Sequence, residues 1–441
     1  MTTATLRDAV DPDSHREGQR DALARAGAAM SLLSALVAAW LHVKPHTRGL
    51  TANLLGYGLK VLGGALSPVV AVMGLLGAAV SRRAGRPVPA LLGGLGAVLA
   101  TRYVHRVSSE LRVVPEREAL PSTHDLPVLK RRWRVGQVVQ RPSPRFLRDL
   151  VYASVPGAGQ GETRDLLCDL WIPAGTVQRS GLGVIYLHGG AWQSFDKDVT
   201  TRPFFRHLAA QGHVVMDVAY RLAHETDMAG MLGDVKRAIA WLRANARRLG
   251  IAADRIVVSG GSAGGHLALM AAYTPSDSAF APPEVAMVDT SVCGVFAFYP
   301  VADLRTLAHH WSQQAMNPLM HAAGRAFGYF TREGYLRWGE LVRRLFGKPE
   351  GAAGDQLLAY SPVAHAGGHC PPTLILQGDH DHVVPLDDVR ALHRSLVQSG
   401  CAATLVELPQ VEHAFDLFAR QLSPPAQAAL YDVDRFLAQL M

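Results

Sequence analysis

Charged residues are scarce in this chain, and cysteines are scarcer still. Asp, Glu, Lys and Arg make up 18% of the 441 residues, whereas about 25% is usual for a soluble domain. The four cysteines show no Cys-x-x-Cys spacing and are too few for a disulfide framework in a chain of this length. The composition therefore excludes a small disulfide-rich scaffold. A single disulfide between Cys370 and Cys401 stays open, although buried free thiols are the simpler interpretation.

Charge is absent altogether from two long stretches in the first third of the chain. Residues 26–43 contain no Asp, Glu, Lys or Arg, and residues 61–80 form a second uncharged run. A helix of about twenty residues is roughly 30 Å long, which matches the hydrocarbon layer of a bilayer. A third run, 88–101, has fourteen residues and spans a bilayer only if Arg102 and Arg106 extend to the bilayer surface.

Two other interpretations of these runs fit the sequence less well. A signal peptide has a short basic start and no second span, whereas several acidic residues precede the first run. A soluble helical bundle has polar faces at helical period, and residues 61–80 have almost none. The sequence therefore predicts an N-terminal tail over 1–22 and a transmembrane helical region of two or three spans over 23–104. The loops before and after the second apolar run both contain basic residues, so the orientation of the helices in the predicted cell membrane stays open.

The basic residues are also unevenly distributed. The net charge is +7, and the arginines concentrate in the first 150 residues, where they flank the apolar runs. This arrangement favours anionic lipid headgroups over nucleic acid as the partner. Residues 105–150 are charged and contain several prolines, which predicts an irregular basic juxtamembrane linker. A solvated charged loop is the alternative for this segment.

From about residue 151 to the C-terminus, short apolar runs alternate with longer amphipathic ones. The predicted strands are Leu170–Pro173, Gly183–His188, Val214–Tyr220, Arg255–Ser259, Gly294–Tyr299, Thr373–Gln377 and Ala403–Leu408. The predicted helices are Thr200–Gln211, Met228–Leu249, Gly264–Tyr273, Leu386–Ser399 and Pro424–Leu440. Such alternation indicates an α/β domain with a mostly parallel sheet and helices on both faces. Reactive groups are then expected at the carboxyl ends of the strands.

One of these strands ends in a Gly-x-Ser-x-Gly motif, which predicts a serine nucleophile. The apolar strand 255–259 runs into Gly260-Gly261-Ser262-Ala263-Gly264 and then into a helix. A serine on such a turn is lifted clear of the sheet, and the small residues around it permit the sharp backbone. Ser262 is therefore the candidate nucleophile of an acyl hydrolase.

A serine hydroxyl needs a base and an acid that orients the base, and both follow later in the chain. His413 lies after the last predicted strand and is the candidate base. Asp381 and Asp379 both follow the strand 373–377. We expect Asp381 to act as the acid and Asp379 to fix the turn. The run His380-Asp381-His382 suggests metal ligands as an alternative, but adjacent residues rarely bind one ion without a third ligand from elsewhere.

The remaining requirement is a set of donors for the oxyanion. A glycine-rich loop follows the predicted strand 183–188, and its backbone N–H groups are candidates at Gly190 and Ala191, with Gly189 permitting the close approach. The N–H of Ala263, directly after the nucleophile, is a further candidate. This mechanism requires neither a metal nor a cofactor.

These motifs resemble those of the α/β-hydrolase superfamily. The resemblance covers about 165–440 and is carried by His188-Gly189-Gly190, Asp217 to Ala223, Gly260 to Gly265, Asp381 and His413. It is strongest with esterases and lipases related to hormone-sensitive lipase and with isoprenylcysteine methylesterase-like carboxylesterases. Together with the apolar N-terminal runs, the chain is also similar to membrane-associated lipase/esterases of actinobacteria. Ala191 replaces a third glycine of hormone-sensitive-lipase relatives, and Gly261 replaces a frequent acidic residue.

The resemblance implies an α/β-hydrolase fold with a cap inserted at about 301–362. Aromatic and methionine side chains of this segment are expected either to line an acyl pocket or simply to pack the cap on the core. The implied function is a membrane-anchored serine carboxylesterase or lipase that acts on a small-molecule ester or lipid, with short to medium acyl chains. An amidase, a formamidase or an acyltransferase of the same superfamily is the alternative, and a catalytically inactive binding protein is a third.

Overall fold

A nine-stranded sheet lies at the centre of the part of the chain that the structure describes. The computed structural model describes residues 12–44, 50–114, 128–138, 142–157, 161–275, 277–312 and 338–441. The strands are β1 (Arg112–Val114), β2 (Arg145–Pro156), β3 (Thr163–Ile172), β4 (Gly183–Leu187), β5 (Val214–Val218), β6 (Ile256–Gly261), β7 (Gly294–Phe298), β8 (Thr373–Gly378) and β9 (Ala403–Leu408).

The sheet is parallel in its interior and antiparallel at its edges. Its order is β1-β9-β8-β7-β6-β4-β5-β3-β2. Strands β4 to β9 run parallel to one another, and all of their residues are buried, as expected for strands covered on both faces. The carboxyl ends of these strands therefore meet along one edge of the molecule.

Helices lie on both faces of this sheet, and four further helices precede it in the chain. In chain order they are α1 (Pro12–Leu41), α2 (Leu50–Ala65), α3 (Ser67–Arg83), α4 (Pro87–Ser109), α5 (Arg202–Ala210), α6 (Met228–Ala244), α7 (Ala246–Leu249), α8 (Ala263–Tyr273), α9 (Leu304–Ser312), α10 (Trp338–Phe346), α11 (Gly354–Ala359), α12 (Leu386–Gln398) and α13 (Pro424–Gln439). Along β4, Ile185 belongs to the core under α6 and α8, whereas Tyr186 belongs to the core under α5 and α13. This alternation is the two-residue period of a strand.

The predicted α/β pattern is confirmed in its interior. All seven predicted strands and all five predicted helices are present, although the first predicted strand begins earlier, at Thr163, and the helix predicted over 228–249 divides at Asn245. Strands β1 and β2 were not predicted.

The segment 105–150 differs from the irregular linker that was predicted. Helix α4 continues to Ser109, β1 pairs with β9, and β2 begins at Arg145. Between them, the backbone N–H of Leu129 donates to the Asp434 carboxylate of α13 at 2.8 Å. The described parts of this segment are therefore attached to the sheet and to α13, because strand pairing and a buried carboxylate satisfy their backbone groups. Residues 115–127 and 139–141 lie outside the described residues.

Among the described residues, two N-terminal helices are long and apolar enough to cross a bilayer. They are Arg16–Leu41, within α1, and Pro87–Ser109, which is α4. The third apolar run, predicted as marginal, is thus part of a helix of 23 residues. Helices α1, α3 and α4 pack together through small residues, with Gly74 close to Gly93.

The second predicted span is bent rather than straight. Its two halves, Gly58–Ala65 and Ser67–Arg83, meet at 79°. Pro68 has no N–H to donate to the Gly64 carbonyl, and its ring would collide with that carbonyl in a straight helix. The hydroxyl of Ser67 donates to the Gly64 carbonyl instead, at 2.9 Å. The bend therefore leaves this buried acceptor satisfied.

Candidate active site

Ser262 lies on a tight turn between β6 and α8. Its backbone φ is +55°, a left-handed value that is unfavourable for a residue with a side chain. The Ser262 N–H donates to the carbonyl of Phe298 at the end of β7, at 2.9 Å, which holds the turn. A Cβ on Gly264 would lie 2.1 Å from the Leu187 carbonyl oxygen, so only glycine allows this close approach of the helix to β4.

Asp381, His413 and Ser262 form one chain of hydrogen bonds. His413 Nδ1 donates to Asp381 Oδ2 at 2.7 Å, and the Ser262 hydroxyl donates to His413 Nε2 at 3.0 Å. The two partners come from the loops after β8 and β9, as the sequence predicts. The side chains of His413 and Asp381 are nearly inaccessible, which limits competition from water. The geometry is that required for a base to remove the serine proton.

The Asp381 carboxylate is held from several sides. Besides His413, its Oδ2 accepts from Gln377 Nε2 at 2.8 Å. Its Oδ1 accepts from the backbone N–H groups of Val383 and Val384, at 2.9 and 2.8 Å. These donors fix the plane of the carboxylate, so that it can orient the imidazole.

The two loops that carry Asp381 and His413 are tied to each other. The Asp379 N–H donates to Leu408 O at 3.0 Å, and the His380 N–H donates to Val411 O at 3.1 Å. The Asp379 carboxylate accepts from the backbone N–H of Gln410. Asp379 therefore fixes the turn, in agreement with its predicted role.

Glu412, which the sequence reasoning missed, connects the same loops. Its Oε1 accepts from the backbone N–H groups of His382 and His413, at 2.9 and 3.0 Å. It also lies 2.9 Å from His382 Nδ1. Burial lowers the pKa of His382, but the Glu412 hydrogen bond and charge outweigh this effect and leave that pKa raised. The feature of the sequence that could have indicated Glu412 is its position directly before the candidate base.

The metal alternative for this segment finds no support in the part of the chain that the structure describes. His380, Asp381 and His382 contact Lys60, His413 and Glu412, respectively. Within the same residues, no group of three or more His, Cys, Asp or Glu side chains is arranged to hold an ion.

The glycine-rich loop after β4 runs beside Ser262, the candidate nucleophile. A Cβ on Gly189 would lie 3.4 Å from the Ser262 Cβ. Gly190 has φ +116°, and Ala191 and Trp192 follow with φ +52° and +61°, so the loop turns back on itself. No hydrogen bond among the described residues is donated by the N–H groups of Gly190, Ala191 or Ala263. These groups are the candidate oxyanion donors predicted from the sequence.

A buried histidine, not singled out from the sequence, supports this loop. The indole Nε1 of Trp192 donates to His266 Nδ1 at 3.3 Å, and His266 Nε2 donates to Tyr360 O at 2.7 Å. Burial lowers the pKa of His266 to about 4, so its ring is neutral near pH 7 and can accept from the indole. The loop, the nucleophile helix and the segment after α11 are thereby connected.

Tyr299 packs against the base from the end of β7. Its ring centroid is 4.4 Å from that of His413, and its hydroxyl donates to the Asp416 carboxylate. Arg420 donates to the other oxygen of Asp416 at 2.8 Å. These contacts fix the loop immediately after His413.

The described cap helices pack on the core and on the acid loop. Trp311 Nε1 donates to Val383 O at 3.0 Å, and its ring meets that of Trp338 edge-on. Leu341 and Phe346 are buried in the same core as α6 and α8. The packing alternative is thus seen for these side chains. The predicted pocket residues between 313 and 337 lie outside the described residues.

Comparison with known proteins connects this geometry to esterases. Residues 168–396 match the BD-FAE family. Over 319 residues the chain is 31% identical to the probable carboxylic ester hydrolase LipM of Mycobacterium tuberculosis, covering 71% of this chain and 68% of LipM. It is 31% identical over 271 residues to the esterase LipQ of the same organism, covering 61% of this chain and 59% of LipQ.

A solved structure leads to the same group. Esterase 2 of Thermogutta terrifontis, in its apo form, superposes with a TM-score of 0.51 at 27% identity, covering 68% of this chain and 95% of that one. Forms of this esterase phosphonylated by sarin or with propionate bound superpose with TM-scores of 0.52 and 0.50. The resemblance inferred from the motifs is thereby confirmed. The chain belongs to the BD-FAE family, has an α/β-hydrolase-like fold, and is an enzyme of the carboxylic ester hydrolase class.

Proposed function

We propose that this protein is a membrane-anchored serine carboxylesterase with Ser262 as nucleophile, His413 as general base and acid, and Asp381 as the orienting carboxylate. The observation that carries the proposal is the continuous hydrogen-bond chain from Asp381 through His413 to the Ser262 hydroxyl. Each group has the chemistry that its position requires.

In the first step, the Ser262 oxygen attacks the carbonyl carbon of the ester while its proton passes to His413 Nε2. The carbonyl electron pair moves to oxygen, and the N–H groups of Gly190, Ala191 and Ala263 stabilise the resulting anion. One such donor is worth about 3 kcal/mol of the barrier. As the intermediate collapses, His413 gives its proton to the leaving alkoxide, which departs as the alcohol. The acyl group stays on Ser262.

In the second step, water repeats the sequence. His413 takes a proton from the water, whose oxygen attacks the acyl carbon, and then returns that proton to Ser262 as the acid leaves. The Asp381 carboxylate accepts from His413 Nδ1 and thereby stabilises the imidazolium in both steps. No other reactant is required.

The substrate class follows from the relatives. LipM and LipQ are named a carboxylic ester hydrolase and an esterase, and the Thermogutta esterase has been solved with propionate bound. We therefore assign small-molecule esters with short to medium acyl chains as substrates. The sarin adduct of that esterase supports an organophosphorus reagent as an active-site probe for this chain.

Membrane anchoring is supported by the surface of the N-terminal helices. Large apolar side chains are exposed along them, among them Leu33, Leu76 and Leu91, at 53%, 54% and 75%. Exposed leucines in this number are costly in water and favourable in hydrocarbon. We therefore place α1 and α4 across the cell membrane, in contact with its lipids. The test is whether the full chain stays in the membrane fraction after alkaline carbonate extraction; release into the supernatant would refute the anchor.

The catalytic assignment is tested with Ser262→Ala. Hydrolysis of p-nitrophenyl butyrate and covalent labelling by a fluorophosphonate should both be lost, because the Ser262 hydroxyl is the group that donates to His413 Nε2. Ser154→Ala, which changes an exposed serine of β2, is the matched control and should retain both. Labelling of the Ser262→Ala variant at the rate of the unmodified chain would overturn the proposal. A panel of amides and alcohol acceptors then separates an esterase from an amidase or acyltransferase.

A further inference from the structure

The N-terminal helices make polar contacts with the two loops that carry Asp381 and His413. The ammonium group of Lys60, in α2, donates to His380 Nδ1 at 2.7 Å and to the carbonyl of Val43 after α1. His380 is the residue immediately before Asp381. A side chain of the predicted membrane region therefore touches the loop of the candidate catalytic acid.

A second contact reaches the loop of the candidate base. His42, just after α1, accepts at Nδ1 from Gln410 Nε2 at 2.8 Å, and its Nε2 donates to Leu99 O in α4 at 3.0 Å. Gln410 has φ +63° and donates its own N–H to Asp379. This strained turn, three residues before His413, is thus held both by the acid loop and by the helical region.

These contacts are buried, as expected where the N-terminal helices pack tightly on the two loops rather than merely lying beside them. Lys60 is only 2% exposed, and a buried ammonium requires compensating charge and acceptors. Asp379 and Glu412, one from each loop, supply negative charge near it. Around the polar contacts, Leu41, Tyr103 and Val107 of the helices belong to the same core as Val411 and Phe415 of the base loop.

The contact with Lys60 also affects the protonation of the His380 ring. Burial first, and then the nearby Lys60 charge, lowers the pKa of His380 to about 3, so its ring is neutral. A neutral ring can accept from Lys60 at Nδ1, while its backbone N–H remains bonded to Val411 O at 3.1 Å. The ring is therefore held between the helical region and the base loop.

We infer that Lys60 and His42 are positioning residues: the contacts Lys60–His380 and His42–Gln410 set the distance between Asp381 and His413, so that the N-terminal helices complete the active site as well as anchoring it. This inference rests on the proposed triad. Displacing catalytic groups by about 1 Å can reduce a rate by roughly 100-fold, so partial loss of such support has a measurable effect.

The test uses the full chain in detergent micelles and the variant Lys60→Met, which removes the charge and keeps most of the side-chain volume. We expect kcat to fall about tenfold and KM for p-nitrophenyl butyrate to change less than twofold, because a positioning residue does not touch the substrate. Rates are expressed per active site titrated with a fluorophosphonate, so that loss of folded protein is not counted. Lys130→Met, at an exposed lysine, is the matched control and should leave kcat unchanged.

A double-mutant cycle examines whether Lys60 acts through His380. The combination of Lys60→Met with His380→Phe should lose no more than the worse single variant, because both remove the same contact. Gln410→Met tests the second contact without exposing a buried charge, and it should also lower kcat with KM retained. If Lys60→Met does not fold, this variant decides the inference.

Three results would overturn the inference. They are an unchanged kcat per titrated site in both Lys60→Met and Gln410→Met, a loss confined to KM, and losses for Lys60 and His380 that add. A failure of the triad itself appears elsewhere, as activity retained by Ser262→Ala, and so the two failures are distinguishable.

Discussion

Replacing Asp381 with asparagine tests the orienting role of the carboxylate most directly. In the unmodified chain, Asp381 accepts four hydrogen bonds, from His413, Gln377, Val383 and Val384. An asparagine amide has one oxygen and one NH₂ group. If its oxygen stays on the two backbone N–H groups, its NH₂ faces both the Gln377 amide and His413 Nδ1.

The consequence is the wrong tautomer of the base. His413 Nδ1 must then accept a hydrogen bond, so its proton moves to Nε2, which can no longer take the proton of Ser262. In the serine protease triad of a different fold, the same change lowers kcat by about 10⁴ with the geometry retained. We expect a loss of that size at pH 7, which corresponds to about 5.5 kcal/mol of activation free energy. Because the substrate is not touched, KM should stay within a few fold.

The assay is steady-state hydrolysis of p-nitrophenyl butyrate by the full chain, with the folded fraction measured by circular dichroism. Asp254→Asn, at an exposed carboxylate, is the matched control and should be fully active. Asp379→Asn keeps an oxygen that can accept from Gln410, so its loss should be far smaller than that of Asp381→Asn. An Asp381→Asn variant with more than a tenth of the original kcat, or an equal loss in Asp379→Asn, would refute the assignment of the acid.

Two further predictions concern the residues around the nucleophile. Gly264→Ala places a Cβ 2.1 Å from the Leu187 carbonyl oxygen. We expect this overpacking to lower the free energy of unfolding by about 3 kcal/mol, which is seen as a lower thermal midpoint, and to abolish fluorophosphonate labelling. Gly351→Ala, in open space, should have neither effect, and equal midpoints for the two variants would contradict this. The pKa of His266 is lowered by burial to about 4, so its contribution to stability is present above its unfolded pKa near 6.5 and is lost as the pH falls towards 4. In thermal melts from pH 7 to 4, His266→Gln should therefore lose stability less steeply than the unmodified chain, by up to about 1.4 kcal/mol per pH unit, and identical slopes would oppose the argument.

The sequence was most informative where local chemistry alone determines the backbone. The interior strands are continuous apolar runs, and their predicted ends lie close to the observed ones for this reason. The turn at Ser262 requires small neighbours, and the glycines of the Gly-x-Ser-x-Gly motif are visible in the sequence itself. The spacing of Asp381 and His413 after their strands places both at one edge of a parallel sheet, and their hydrogen bond has the expected partners.

Other parts of the fold depend on distant segments and leave weak local signals. Strand β1 has only three residues, and it is a strand because β9, nearly 300 residues later, offers it an edge. The bend at Pro68 did have a signal, because a proline inside a helix removes a hydrogen bond. The run 61–80 was nevertheless predicted as a membrane span without a bend being considered, because its composition alone suits a bilayer.

The residues that hold the site residues in place could not be predicted from the sequence for a related reason. Trp192, His266 and Glu412 lie next to predicted site residues, but their bonding partners come from elsewhere in the chain. Lys60 is the clearest case. In the sequence it borders an apolar run and suggests a headgroup contact, whereas in the fold it is 2% exposed and bonded to a residue 320 positions later. A charge that could reach water at little cost is instead buried beside the acid loop, and burial of this kind is retained only where buried acceptors and opposite charge compensate it. The compensating groups are His380, Asp379 and Glu412, which also fix the loops that carry Asp381 and His413. They therefore connect the N-terminal helices to the proposed triad in a way that neither segment reveals alone.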